Sequence, residues 1–339
     1  MPLIAVTRGQ RLESLHRGAL AIADCDGNII ASVGDITEPV FPRSAIKALQ
    51  ALPLVASGAA EHFGFSRTEL ALACSSHAGE PRHARAAAAI LGRLGLTVDA
   101  LTCGPHLPLG IAAAHDMLRH HDTPTRLHNN CSGKHVGMLA TALHLKEPLA
   151  HYEAKDHPVQ DRIRTLLEAL TGVKLGDNGL GIDGCSLPNW AVPLGGLATA
   201  FARFISEGDG LHGDVAATYN PAMARLAAAC WAAPEYVAGL NRLDSEMLAR
   251  FPGEVFVKGG AEGVYCGGIK SRGLGFALKI EDGAKRGAEA AVKALIAHLV
   301  AGADDLALPE PILNWDGRAT GETRLTPEFE TFLATLKPN

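Results

Sequence analysis

Residues 14–33 alternate between apolar and polar side chains on either side of Asp24-Cys25-Asp26-Gly27-Asn28. That period of two, broken where Gly27 can take a positive φ without steric cost, predicts a β-hairpin. A second alternating pattern covers 263–269 and 273–280 around Lys270-Ser271-Arg272, after the apolar run Val255-Phe256-Val257. Strands are therefore expected near both ends of the chain. Between them the period lengthens, predicting helices over 45–57, 82–94, 109–120, 134–145, 158–170, 194–206 and 221–232, with a last one over 284–301; glycine and proline punctuate the series. Ser66-Arg67-Thr68-Glu69 has the form of a capping box, and the segment that follows, Leu70 to Cys74, suits a helical turn or a strand. Strands, many helices, then strands and a helix predict an α+β fold, in which terminal strands share one mainly antiparallel sheet and a helical lobe is inserted between them. The expected lobes of this single unit are 1–40 with 253–339 for the sheet and 41–252 for the helices.

Composition narrows the class. Of 339 residues, 47% are hydrophobic and 20% charged, enough apolar content for a large core. Lys and Arg number 31 against 36 Asp and Glu, for a net charge of -5 with no dense basic run; this argues against nucleic acid as a partner. The charge-free run from Gly184 to Ala202 is interrupted by Pro188, Asn189, Pro193, Gly195 and Gly196, so no membrane span is expected. The opening MPLIAVTRGQRLES lacks the basic start and apolar stretch of an export signal, and the expected location is cytoplasmic. Seven scattered cysteines without a CxxC pair read as reduced thiols.

Several clusters could carry chemistry. In Phe41-Pro42-Arg43-Ser44-Ala45-Ile46-Lys47 a helix is expected to start at or just after Ser44, which places Ser44 and Lys47 about one turn apart on the same face. A serine hydroxyl attacks poorly until a base removes its proton. A lysine serves as that base only when desolvation or neighbouring positive charge lowers its pKa. The same spacing also suits an N-cap serine beside a solvent lysine. The buried run Leu70 to Cys74 ends in the polar cluster Ser75-Ser76-His77-Ala78-Gly79-Glu80, and Val255-Phe256-Val257 ends in Lys258-Gly259-Gly260. In His128-Asn129-Asn130-Cys131-Ser132-Gly133-Lys134-His135, amides and a candidate thiolate precede a helix. Gly181-Ile182-Asp183-Gly184-Cys185 offers another acid and thiol. Two thiols with a third nitrogen donor suit zinc, although each cysteine alone is equally at home as a small buried hydrophobe.

In this order, the Pro42–Lys47, Cys74–His77, Asn129–His135, Gly181–Cys185 and Lys258–Gly260 blocks resemble the Rhizobium etli type L-asparaginases, also called class 3 or the asparaginase II family. The resemblance implies a fold like that of serine β-lactamases and penicillin-binding proteins. It also implies two Ser-Lys pairs, Ser44 with Lys47 and Ser76 with Lys258, a zinc site at Cys131, Lys134 and Cys185, and a homodimer. The S-D-N element of β-lactamases is absent, and Lys258-Gly259-Gly260 stands where they carry K-T-G. The expected activity is hydrolysis of L-asparagine to L-aspartate and ammonia through an acyl-enzyme, with Ser44 as nucleophile and Lys47 as base, Ser76 and Lys258 relaying protons or replacing Lys47, and Ser76 the competing nucleophile. Arg43 or Lys258 is expected to meet the substrate α-carboxylate and Asp183 its α-ammonium, with His135 and Asn129 as further substrate contacts. The competing expectations are a serine β-lactamase-like hydrolase and a non-catalytic amino-acid or zinc-binding protein. In every case the partner is a small molecule.

Overall fold

Along the strand Arg11–Ala23, Leu20 and Ile22 face one hydrophobic core while Ala19, Ala21 and Ala23 face another. A sheet built on that strand must therefore be covered on both faces. The computed structural model describes residues 1–337. Its strands are β1 (Pro2–Arg8), β2 (Arg11–Ala23), β3 (Ile29–Val33), β4 (Pro39–Val40), β5 (Leu180–Ile182), β6 (Pro188–Trp190), β7 (Val192–Pro193), β8 (Val255–Gly259), β9 (Val264–Ile269), β10 (Leu274–Ile280), β11 (Glu310–Leu313) and β12 (Ala319–Leu325). The main sheet runs β11-β12-β1-β2-β10-β9-β8, with β3 also beside β2. Its pairs are antiparallel, and two of them join the chain ends, with Ile4 opposite Leu325 and Ile22 opposite Phe276. The fold is thus a mixed α+β arrangement of an antiparallel sheet and a helical lobe.

The first predicted hairpin is β2–β3, closed by Asp24, whose Oδ1 accepts the amides of Asp26 at 3.0 Å and Asn28 at 2.9 Å, with Gly27 at φ 91°. The alternation does not predict β1, which is a continuous buried apolar run, or β11 and β12, which are half-exposed and rich in polar residues. Helix Leu194–Ile205 lies on the alanine face of β2 and approaches so closely that a Cβ at Gly275 would stand 2.1 Å from the Ala198 carbonyl oxygen. Helices Lys285–Leu299 and Pro327–Thr335 supply the opposite core.

Local chemistry decides three ambiguous stretches. The capping box forms, with Ser66 N donating to Glu69 Oε2 at 2.8 Å and Glu69 N to Ser66 Oγ at 3.3 Å, so Leu70 to Ala73 is helical rather than extended. The helix expected over 45–57 is broken into a 3-10 turn, Arg43–Ile46, and two short pieces, Lys47–Gln50 and Leu52–Ala56. Pro53, which cannot donate a backbone hydrogen bond, sits in the first turn of the last piece. Pro221, expected to begin a helix, lies inside Gly213–Ala232 instead. Burial of Met223 and Leu226 beyond it offsets the lost bond. No helix among the described residues is long and apolar enough to cross a membrane.

Gly275→Ala is expected to destabilise the fold by about 1–3 kcal/mol through overpacking. Gly92→Ala, on a helix with nothing within 4 Å of the new Cβ, is expected to stabilise it by about 0.4–1 kcal/mol. Urea unfolding of both variants checks the contrast, and a neutral Gly275→Ala would contradict the close approach.

Candidate active site

Ser44 and Lys47 sit three residues apart across the 3-10 turn, where positions i and i+3 eclipse one another. Arg43 enters that turn at φ 52°, a left-handed conformation that strains a side-chain-bearing residue. The end of β8 abuts the same turn: a Cβ at Gly260 would lie 2.7 Å from the Pro42 carbonyl oxygen and 3.3 Å from the Ala45 amide. Only glycine permits that contact. Alternation along β8 sends Val255 and Val257 into the outer core and turns Phe256 and Lys258 toward the helical lobe.

Lys258 is fully buried, and its Nζ donates to Asp244 Oδ2 at 2.9 Å and to the Gly259 carbonyl at 3.0 Å. Asp244, on helix Leu243–Arg250, also accepts from the Gly259 amide at 3.1 Å and the Tyr265 hydroxyl at 2.6 Å. Burial alone would raise its pKa, but the Lys258 charge and these donors hold it below the usual range. The pair is therefore a buried ion pair, and Asp244 carries no sequence pattern that announces it. Ser76, at the end of the capped helix, donates its amide to Val237 O at 2.9 Å, and its Oγ lies 3.2 Å from the Asn130 side-chain nitrogen.

Asn130 ties the two serine segments together. Its carbonyl accepts from Lys47 Nζ at 3.4 Å and from the His77 amide at 3.1 Å. Its amide donates to His106 Nε2 at 3.1 Å, and its side-chain oxygen lies 3.2 Å from Cys131 Sγ. Asn129, the neighbour expected at the substrate, instead braces the loop: Nδ2 donates to Gly104 O at 2.6 Å, and Oδ1 accepts from the Cys131 amide at 2.9 Å. Nothing in the spacing separates the two asparagines. Arg43 and Asp183, expected to bind opposite ends of one ligand, are joined to each other, with Nη2 2.8 Å and Nε 2.9 Å from Asp183 Oδ1. The β5–β6 ladder presents the Asp183–Cys185 turn there.

Lys47 is fully buried and has no carboxylate partner among the described residues. Desolvation, more than any other influence, pushes its pKa down; the Lys134 and Lys258 charges add to that, while Cys131 opposes it. Cys131, at the N-cap of helix Ser132–His144, is held well below the usual thiol range. Hydrogen bonding from Cys185 is the chief cause, overcoming burial with help from the Lys47 and Lys134 charges. Cys185 is pushed up because it keeps the shared proton. His135, also on that helix, is buried with Nδ1 2.6 Å from the Tyr152 hydroxyl.

The zinc expectation at Cys131, Lys134 and Cys185 does not hold. No group of three or more His, Cys, Asp or Glu side chains among the described residues could hold a metal ion. The two thiols meet, but the third expected ligand is Lys134, whose Nζ donates to Cys185 Sγ at 3.3 Å. Burial would lower its pKa, yet Cys185, Cys131 and Asp183 together raise it, and an ammonium has no lone pair to coordinate with.

The family model described as L-asparaginase II matches residues 4–325. No curated protein matches the chain.

Ultraviolet titration is expected to show one thiolate forming well below the ordinary thiol pKa of 9.0 and vanishing in Cys131→Ser. Survival of that signal in Cys131→Ser would place the charge on another sulfur.

Proposed function

The chain belongs to the L-asparaginase II family, whose membership carries hydrolysis of a small-molecule amide, and from that premise we propose that it converts L-asparagine to L-aspartate and ammonia. The observation that carries this reading is Lys47, a fully buried amine with a depressed pKa, one 3-10 turn from Ser44. A base must be neutral before it can accept a proton. Lys258 is engaged by the Asp244 carboxylate, whereas Lys47 donates to a carbonyl and stands beside the Cys131 sulfur with no carboxylate partner among the described residues, so Lys47 is the better base. Donation to Asn130 O leaves the lone pair of the free amine for the Ser44 hydroxyl.

In this mechanism Ser44 Oγ attacks the side-chain amide carbon as its proton passes to Lys47. The proton then goes to the departing nitrogen, ammonia leaves, and water hydrolyses the acyl-Ser44 ester by the same base. Ser76, held by Asn130, relays protons at the leaving group. Lys258 and Lys134 act as fixed positive charges that keep Lys47 neutral and favour a developing oxyanion. The α-carboxylate of asparagine pairs with Arg43 and its α-ammonium with Asp183, so one ion pair within the protein is exchanged for two with the ligand. The sheet from both chain ends with its helical lobe supports a serine β-lactamase-like fold for this chemistry. Glutamine, one methylene longer, is disfavoured by about 1–3 kcal/mol.

Ammonia release is expected from L-asparagine in preference to L-glutamine, and it should collapse in Ser44→Ala; mapping a trapped acyl group to Ser76 would reverse the serine assignments. Lys47→Met should lower kcat by roughly 10²–10⁴-fold while keeping or raising the melting temperature, because it removes a desolvated amine. In the wild type, kcat/KM should rise with pH along a limb below the ordinary lysine value of 10.5. Stability should rise in the same window, since between the folded and unfolded pKa values the unfolded chain holds the extra proton. A pH profile unaffected by Lys47→Met would remove Lys47 as the base.

A further inference from the structure

Two buried histidines beside Ser76 have their protons placed by the groups around them. His77 Nδ1 accepts the Gly79 amide at 3.1 Å, and its Nε2 lies 2.9 Å from Ser132 Oγ, which donates its own proton to the Leu127 carbonyl at 2.9 Å. A backbone amide only donates and a carbonyl only accepts, so the His77 proton sits on Nε2 and points at Ser132. His83 repeats the pattern: Nδ1 accepts the Glu80 amide at 3.1 Å, and Nε2–H donates to the Glu235 carbonyl at 2.9 Å. Both rings are neutral, because each uses Nδ1 as an acceptor, and burial pushes both below the ordinary histidine range, His77 well below. They lie stacked, with centroids 4.8 Å apart and planes 17° from parallel. A serine 2.9 Å from a histidine has the look of a nucleophile with its base, but the direction of these bonds excludes that part for Ser132, since His77 turns no lone pair toward it.

What the two rings do is join elements. His77 fastens the end of the Cys74–His77 segment to the start of helix Ser132–His144, and His83, on helix Pro81–Arg93, fastens the same region to the single turn Pro234–Val237. Those are the two elements that hold Ser76: its amide donates to Val237 O at 2.9 Å, and its Oγ lies 3.2 Å from the side-chain nitrogen of Asn130, two residues before Ser132. We infer that the stacked His77–His83 pair positions Ser76, two neutral rings fixing the spacing between Asn130 and Val237 and, through it, the serine hydroxyl. The inference rests on the amide-hydrolase reading above, in which Ser76 passes protons, and gives the histidines a part played through that serine. An imidazole suits the place because it carries one acceptor and one donor on a rigid ring. Two imidazolium rings would repel each other at this separation, whereas two neutral ones stack.

Nitrogen-15 histidine spectra of the full-length protein, with each ring identified by its loss in the matching glutamine variant, should show a protonated Nε2 and a bare Nδ1 for both. Glutamine places an N–H near the position of Nε2, and asparagine places an oxygen near that of Nδ1, so the two substitutions separate the bond between elements from the bond within the loop. His77→Asn should lower kcat on L-asparagine by about 100-fold with little change in KM, and His77→Gln by about 10-fold. The same order is expected at His83, and either ring carries the comparison should one asparagine variant fail to fold by circular dichroism. The Asn130 side-chain amide resonance, identified by its loss in Asn130→Asp, should move in His77→Asn and stay nearly in place in His77→Gln. A wild-type ring protonated at Nδ1, equal losses for asparagine and glutamine, or an unmoved Asn130 resonance in folded His77→Asn would overturn the assignment. A wild type with the expected tautomers and resonance shifts but no amide hydrolysis would overturn the amide reading alone and uphold the pair as what positions Ser76.

Discussion

Three lysines taken out of water in one cluster set the terms for everything around them. Removing an ammonium from water costs several kcal/mol unless it is paired or loses its proton, and Lys47, Lys134 and Lys258 meet that demand in three ways. Lys258 has the carboxylate of Asp244, itself satisfied by Tyr265 and the Gly259 amide. Lys134 has sulfur and Asp183 nearby. Lys47 has a carbonyl, and burial pushes its pKa down, which is what suits it to the part of base in the proposed mechanism. The strand end at Gly260, the 3-10 turn and the loop before helix Ser132–His144 hold the three amines at these separate partners.

Much of the frame could be read along the chain, because a period of two or of 3.6 depends only on neighbours. The hairpins at Asp24–Asn28 and Lys270–Arg272 and most inner helices follow from it. The pieces that escaped are those whose identity depends on distant contacts. Strand β12 is too polar to alternate clearly and exists because β1 and β11 flank it. Helix Leu243–Arg250 has no special signature, yet it carries the carboxylate that neutralises Lys258.

The same limit applies to the site. Dense polar clusters mark loops that the structure brings together, but a cluster does not say which member faces which. Asn130, rather than Asn129, bridges Lys47, Ser76 and Cys131, and that follows only from how two loops dock. Arg43 and Asp183 looked like separate ligand anchors because 140 positions divide them; in space they are partners. Lys134 counted as a third metal donor until its proton, held by the sulfurs beside it, removed its lone pair.

The pairing of β1 with β12 and of β2 with β10 also bears on how the protein comes into being. During synthesis the N-terminal strands leave the ribosome long before their partners exist, with open edges and apolar faces that invite association with other chains. The turn bearing Ser44 lacks its neighbour until Gly260 has been made. Productive folding is therefore largely post-translational and governed by long-range pairing, which is slow. A growing chain should be exposed to aggregation and dependent on chaperones for most of its elongation, and it should gain its chemistry only near completion.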